Sequence, residues 1–184
     1  MRYTFSALSL MAIILTIVGP GDALAAAEVG QPAPALVVEE LNGQTFDLSA
    51  LRGKVVVINF WATWCQPCRR EMPALDAFYR QYHGQGLEMI GLSADRPHER
   101  SGVGKVMQSF SYPAAMLDDV KADDFGDPNE LPVTFIIDAN GVVRAKFTPD
   151  QTLATEKSLS VAIPLLPGKP AAQKSPLQSS TVSP

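Results

Sequence analysis

This chain has few cysteines, few histidines and no excess of positive charge, and each of these facts argues against a class of function. The 184 residues include two cysteines and two histidines. His83 and His98 are 15 residues apart (98 − 83), which is not the spacing of a zinc finger, so no metal site is expected. The formal net charge of −4 provides no basic stripe, so nucleic acid is not an expected partner.

The N-terminal apolar run is too short to be a typical membrane span. It covers 12 residues, from Ala7 to Val18, whereas a span needs ~20. Ala23 and Ala25 supply the small residues that a signal peptidase recognises. We therefore predict a signal peptide over residues 1–25, with an uncleaved anchor as the alternative, and a location in the periplasm or on the extracytoplasmic face. Cleavage after Ala25 leaves 159 residues (184 − 25), enough for one domain.

The two cysteines, Cys65 and Cys68, lie three residues apart. A structural disulfide stabilises mainly by closing a long loop, and a loop this short contributes only about 2 kcal/mol. A C-x-x-C spacing instead suits redox chemistry, in which one sulfur attacks a partner's disulfide and the other resolves the mixed disulfide. The spacing therefore favours catalysis over a structural link.

Hydrophobic patterns predict one α/β domain over residues 28–166 and a disordered tail, rich in proline and serine, over residues 167–184. The order of elements predicts a mixed central sheet with helices on both faces and an N-terminal β-hairpin. The predicted strands cover residues 36–38, 45–46, 55–60, 87–92, 114–117, 133–138 and 142–147. The predicted helices run from Cys65 to about Tyr82, from Pro97 to Phe110 and from Asp150 to Leu166.

The cysteines follow a buried strand and open a helix. The unpaired backbone N–H groups at a helix N-terminus stabilise a thiolate, as do the nearby cations of Arg69 and Arg70. Cys65 is therefore the expected attacking thiol, and Cys68 in the first turn is the expected resolving thiol. Pro67 removes one N–H donor between them, so the thiolate is less stabilised, which favours a pair that reduces its partners.

Two segments resemble signatures of the thioredoxin superfamily, and most closely its exported TlpA/ResA/DsbE-type thiol–disulfide oxidoreductases. The first runs from Asn59 to Cys68 and is followed by a Glu-Met-Pro that resembles the kinked first helix of these proteins. The second runs from Leu131 to Gly141. The resemblance implies a thioredoxin-like fold, a cis peptide bond before Pro132 and a backbone near Leu131 that binds an incoming peptide strand.

Trp64, beside the first cysteine, is expected to form an apolar docking surface, whereas Trp61 at a strand end is expected in the core.

Two features depart from the pattern of the family, and the proton relay has two candidates. Asn59 stands where cytosolic thioredoxins carry a buried aspartate, which leaves the proton relay open. Exported relatives often place an acid after the second strand, and Asp95 or Glu99 could fill that role. The alternative for Asp95 is a helix cap, which we favour. A glycine expected before Pro132 is absent, and residues 127–130 stand in its place.

The resemblance implies an exported enzyme that reduces disulfides of specific partner proteins and needs no cofactor beyond the Cys65–Cys68 pair. It further implies client proteins such as apocytochrome c or copper-site proteins, and a membrane dithiol as electron donor. We expect a monomer.

Two other functions remain open. A thiol peroxidase on the same fold requires a threonine near the cysteine, and Thr63 is close, although the surrounding residues do not match that pattern. A copper-binding dithiol chaperone requires a histidine ligand, for which only His83 and His98 exist.

Overall fold

The computed structural model describes residues 27–123, 125 and 129–167. The predicted signal peptide lies outside these residues, as does the predicted tail from residue 168 onward. The strands are β1 (Leu36–Glu40), β2 (Thr45–Asp47), β3 (Val55–Trp61), β4 (Leu87–Ser93), β5 (Ala114–Asp123), β6 (Val133–Ile137) and β7 (Val143–Phe147). The helices are α1 (Gln66–Tyr82), α2 (Arg100–Met107) and α3 (Glu156–Leu159), with 3-10 helices at Leu48–Leu51, His83–Gln85, Pro97–Glu99 and Ser160–Leu165. None of the helices among these residues combines the length and the hydrophobicity that a bilayer crossing requires.

The strands form one mixed sheet in the order β2-β1-β5-β4-β3-β6-β7. Strand β3 pairs with β4 in parallel and with β6 in antiparallel orientation. All seven residues of β3 are buried, as its continuous apolar sequence predicts for a strand covered on both faces. The mixed sheet and the N-terminal hairpin, formed by β1 and β2, are confirmed.

The two faces of the sheet carry different cores because successive side chains of a strand point in opposite directions. Val55, Val57 and Trp61 of β3 pack in the core to which all three α-helices contribute. Val56, Ile58 and Phe60 pack in the other core, with the hairpin and the 3-10 helix at Leu48–Leu51. Helical segments thus cover both faces, with the α-helices grouped on one of them.

Strand β5 is longer than predicted. The sequence pattern predicts a strand over residues 114–117, whereas the strand runs from Ala114 to Asp123. Its first residues pair with β4, and its later residues pair with β1, where Val38 faces Val120. The apolar pattern ends early because this second half is held by backbone pairing with an edge hairpin rather than by burial of every side chain.

The prediction of an α-helix from Asp150 to Leu166 is wrong over most of that range. Residues 150–155 are not helical, α3 has only four residues, and a 3-10 helix containing Pro164 follows it. Thr155 ends the loop as N-cap, because its hydroxyl oxygen accepts a hydrogen bond from the Ser158 N–H at 3.2 Å. One residue earlier, the Ala154 N–H is bound by a side chain of α1, which keeps this stretch out of a helix.

Candidate active site

Cys65 and Cys68 are joined by a disulfide at the N-terminus of α1, as expected from their position after β3. Cys65 is the N-cap residue, and its sulfur accepts a hydrogen bond from the Cys68 N–H at 3.2 Å. Cys65 retains a small exposed surface, whereas Cys68 has none. Cys65 is therefore the more accessible sulfur of the pair, and Cys68 is shielded.

A groove of about 540 Å³ opens beside the exposed edge of the disulfide. Its lining residues are Trp64, Cys65, Gln66, Pro67, Ala94, Asn129, Glu130 and Leu131. The Leu131–Pro132 peptide bond is cis, as the resemblance implies. This loop reaches the cysteines because β6 pairs with β3, with Val133 opposite Phe60.

The two tryptophans have opposite environments. The side chain of Trp64 is 65% exposed at the groove, whereas Trp61 is completely buried. Exposure of so large an apolar ring next to a disulfide is typical of a docking surface. The expected core position of Trp61 is confirmed.

Asp95 binds the loop between β3 and α1 and does not cap a helix, so the favoured prediction for it is wrong. Its carboxylate accepts hydrogen bonds from the Thr63 N–H at 2.8 Å, the Thr63 hydroxyl at 2.5 Å and the Ser93 hydroxyl at 2.6 Å. The side chain is 2% exposed. Asp95 thus fixes the residue that precedes Trp64 and Cys65.

The following 3-10 helix is capped by the other candidate acid. The N-cap of that helix is Arg96, and its N–H donates to the Glu99 carboxylate at 3.0 Å. Glu99 is not among the described residues that line the groove. The structure therefore brings neither acid into the groove: Asp95 holds the loop, and Glu99 caps the N-terminus of the 3-10 helix.

Glu71 is a buried acid near the cysteines that residue patterns missed. Its carboxylate accepts hydrogen bonds from Asn59 Nδ2 at 2.7 Å and from the Ala154 N–H at 3.0 Å. Burial raises the pKa of Glu71 to about 7, although hydrogen bonds from Ala154, Asn59 and Thr134 act in the opposite direction. Glu71 lies three residues after Cys68, which is one helical turn.

The sequence contains a pattern that predicts burial of Glu71. Cys68, Met72 and Leu75 form the apolar stripe of α1 at helical spacing, and Glu71 falls within that stripe. An acid on the buried face of an amphipathic helix requires a partner or a function. Its partners come from β3 and from the loop before α3, so only the folded chain identifies them.

A second groove, also of about 540 Å³, reaches Glu71. Its lining includes Arg70, Pro73, Ala74 and Leu153. Arg70 and the neighbouring Arg69 are exposed to solvent. Glu71 therefore has contact with both the buried network and an opening to water.

The described residues contain no group of three or more His, Cys, Asp or Glu side chains that could hold a metal ion. His83 follows the last residue of α1, and its Nδ1 lies 3.1 Å from the Leu87 carbonyl oxygen. The 17 residues of α1 separate it from the cysteines by about 25 Å. Thr63, the residue considered for a peroxidase, has its hydroxyl bound to Asp95.

A disulfide in the first turn of a helix, after an interior strand of a mixed sheet and beside a cis-proline loop, defines a thioredoxin-like thiol–disulfide oxidoreductase. Comparison with known proteins agrees with this class. The chain belongs to the AhpC/TSA family, whose model matches residues 29–146.

Similar proteins carry the corresponding name. The thiol-disulfide oxidoreductase ResA of a Bacillus cereus strain is 35% identical over 125 residues, which cover 68% of this chain and 72% of the relative. ResA of a Geobacillus kaustophilus strain is 37% identical over 129 residues, covering 69% and 73%. A thiol:disulfide interchange protein of the thioredoxin family from Chlorobium tepidum matches with a TM-score of 0.59 at 26% identity, covering 76% of this chain and 99% of that one. The predicted fold, family and enzyme class are thus confirmed.

Proposed function

We propose that this enzyme is an extracytoplasmic reductase of protein disulfides, with Cys65 as the attacking thiol and Cys68 as the resolving thiol. The observation that carries the proposal is the asymmetry of the pair. Cys65 borders the groove at a helix N-terminus, and Cys68 is fully buried one turn from Glu71. The proposed location rests on the sequence pattern of residues 1–25.

The proposed cycle starts from the dithiol. The Cys65 thiolate attacks one sulfur of the client's disulfide, which forms a mixed disulfide and releases the client's other sulfur as a thiolate. Cys68 then loses its proton and attacks the Cys65 sulfur, which releases the second client thiolate. Two electrons pass to the client, and the enzyme is left with the Cys65–Cys68 disulfide seen in the structure. A second dithiol, proposed to belong to a membrane protein, reduces it again.

Glu71 is the proposed acceptor of the Cys68 proton. A general base works best when its pKa lies near the pH at which it operates, and the pKa of Glu71 is raised to about 7. The groove lined by Arg70 and Pro73 gives the proton a way out to water. Glu71 thus takes the role for which Asp95 and Glu99 were the candidates.

The groove beside Cys65 is the proposed binding site for the client. Trp64 offers an exposed aromatic face, and the backbone at Leu131, which lines the same groove, is the proposed partner for an extended peptide. Pro67 lines the same groove, and Pro132 orients the loop. The proposed clients are apocytochrome c or copper-site proteins, in line with the sequence resemblance.

The reduction potential of the Cys65–Cys68 pair tests the direction of the reaction. A reductant is expected at or below about −270 mV, whereas a value near −120 mV would make the protein an oxidant. Peroxide consumption by the reduced protein, measured in the same preparation, should be negligible. Rapid consumption would favour the peroxidase alternative, which the engagement of Thr63 by Asp95 does not support.

A further inference from the structure

Three buried polar atoms have no hydrogen-bond partner within the part of the chain that the structure describes: Asn59 Oδ1, Trp61 Nε1 and the Tyr112 hydroxyl. Tyr112 is only 3% exposed. A buried donor or acceptor without a partner lowers stability, so natural proteins satisfy nearly all such atoms, often with ordered water. Three such atoms in one region indicate a hydrogen-bond partner that they share.

The residues that carry these atoms meet at Gly91 on β4. Asn59 is the β3 residue paired with Gly91, and Trp61, two residues further along β3, shares its face of the sheet. A Cβ atom built on Gly91 would lie 3.0 Å from Trp61 Nε1 and 3.2 Å from Tyr112 Cε2. Cε2 is bonded to the ring carbon that carries the Tyr112 hydroxyl. A side chain at position 91 would therefore press on Trp61 and Tyr112, and glycine lets both rings pack against the backbone of β4.

We infer that Asn59, Trp61 and Tyr112 bind an internal water molecule beside Gly91. An internal water needs two to four polar partners. The Trp61 indole donates, the Asn59 oxygen accepts, and the Tyr112 hydroxyl does either, so the three satisfy a water's donors and acceptors together.

This water joins the network of Glu71 through Asn59. The amide nitrogen of Asn59 donates to Glu71 and to Thr134 Oγ1, at 2.7 and 2.9 Å, which leaves its oxygen for the water. A donor on the amide oxygen polarises the amide and strengthens the bond from its nitrogen to the Glu71 carboxylate. Tyr112 and Trp61 are then positioning residues for Glu71, an assignment that rests on the proposed function.

Few charges act on this region. Burial, and then the charges of Glu71 and Asp76, raise the pKa of Tyr112 well above its usual range. Both acids lie on α1, and the groups that face Glu71 from the other elements are the neutral Asn59, Thr134 and Ala154. Tyr112 therefore stays a neutral hydroxyl, able to donate to the water at any working pH.

The water can be detected directly at the Trp61 indole by NMR. We expect a cross-relaxation peak between the Trp61 indole proton and a long-lived water, while the exposed Trp64 indole shows only exchange with solvent. Gly91→Ala should abolish the Trp61 peak because its methyl group would push the Trp61 indole and the Tyr112 ring out of their positions. Gly104→Ala, where a Cβ meets nothing within 4 Å, should keep it. Absence of the peak in the wild-type protein overturns the inference.

Tyr112→Phe tests the link to Glu71 and does not depend on Gly91→Ala folding. Its matched control is Tyr82→Phe, a partly exposed tyrosine on α1 whose ring packs against Phe78. Titration of the Glu71 side-chain carbon by NMR should show at least about a twofold drop in the carboxylate-to-acid ratio at pH 7 in Tyr112→Phe only. An unchanged titration overturns the link. Because neither readout measures activity, both stand even if Glu71 proves dispensable for catalysis and the proposed function fails.

Discussion

The Glu71 carboxylate accepts a 2.7 Å hydrogen bond from Asn59 Nδ2, and both side chains are buried. The acid comes from α1 and the amide from β3, the strand that leads to the cysteines. Asn59 cannot accept a proton as an aspartate does, but it holds the group that can. In this contact, Asn59 holds the carboxylate in place, and Glu71 is the residue that can accept a proton.

The pH dependence of stability follows from this buried acid. The pKa of Glu71 is raised from 4.5 to about 7 by burial, so the folded protein binds more protons than the unfolded chain between these pH values. The free energy of unfolding should therefore fall as pH rises through this window, on the order of 3 kcal/mol for this group. Urea unfolding at pH 5 and pH 8 measures it.

Glu71→Gln should remove that part of the pH dependence, because glutamine does not titrate. The matched control is Glu156→Gln, which changes an exposed carboxyl at the start of α3 and should keep the wild-type profile. Equal pH profiles for wild type and Glu71→Gln would contradict the assignment of a raised pKa to this carboxyl.

The proposed roles of the two cysteines predict different trapping behaviour. Cys68→Ser should accumulate mixed disulfides with client proteins, because Cys65 still attacks and no thiol resolves the product. Cys65→Ser should trap few, because the remaining sulfur is buried. Non-reducing electrophoresis followed by mass spectrometry of the adducts measures both. The reverse pattern would exchange the two roles.

The loop held by Asp95 should respond to the loss of one hydroxyl. Thr63→Val removes the bond of 2.5 Å to the Asp95 carboxylate and should cost about 1–3 kcal/mol of stability. It should also lower kcat/KM with a protein disulfide by about tenfold, because Trp64 and Cys65 follow this residue. Thr63→Ser keeps the hydroxyl and should stay close to wild type.

Asp95→Asn distinguishes a holding role from a proton relay. If Asp95 only holds the loop, Asp95→Asn and Thr63→Val should lose activity to similar extents at every pH. A change in the pH profile of Asp95→Asn that Thr63→Val does not share would instead support the relay that the sequence comparison suggested.

Substitution of each tryptophan by alanine should have different effects on stability and on client binding. Trp64→Ala removes an exposed ring and should change stability by no more than about 0.5 kcal/mol, while raising KM for protein clients. Its reaction with a small disulfide such as oxidised glutathione should change little. Trp61→Ala empties a fully buried site and should cost about 3–5 kcal/mol. A stable Trp64→Ala variant with unchanged KM for proteins would remove Trp64 from the docking surface.

Features that depend on local sequence could be predicted. The apolar run of β3 and the two cysteines that open α1 are neighbours in the chain, so periodicity and spacing were enough to place them. The cis bond before Pro132 came from resemblance to a family, since no local pattern distinguishes it from an ordinary proline bond.

Features that depend on distant partners could not be predicted. Asp95 stands before Arg96-Pro97, a pattern typical of a helix cap, but its partner Thr63 lies 32 residues earlier. The helix predicted from Asp150 begins late because Ala154 donates to Glu71, 83 residues away. Local propensity is a weak signal wherever a tertiary contact of this kind competes with it.

The hydrogen bond from Ala154 to Glu71 can form only late in the synthesis of the chain. Ala154 is added to the growing chain 86 residues after Cys68 (154 − 68), an interval of several seconds at ordinary rates of synthesis. Until then the Glu71 carboxylate lacks the hydrogen bond from the Ala154 N–H. Under the proposed function, the proton acceptor of Cys68 is therefore complete only after the final segment has docked.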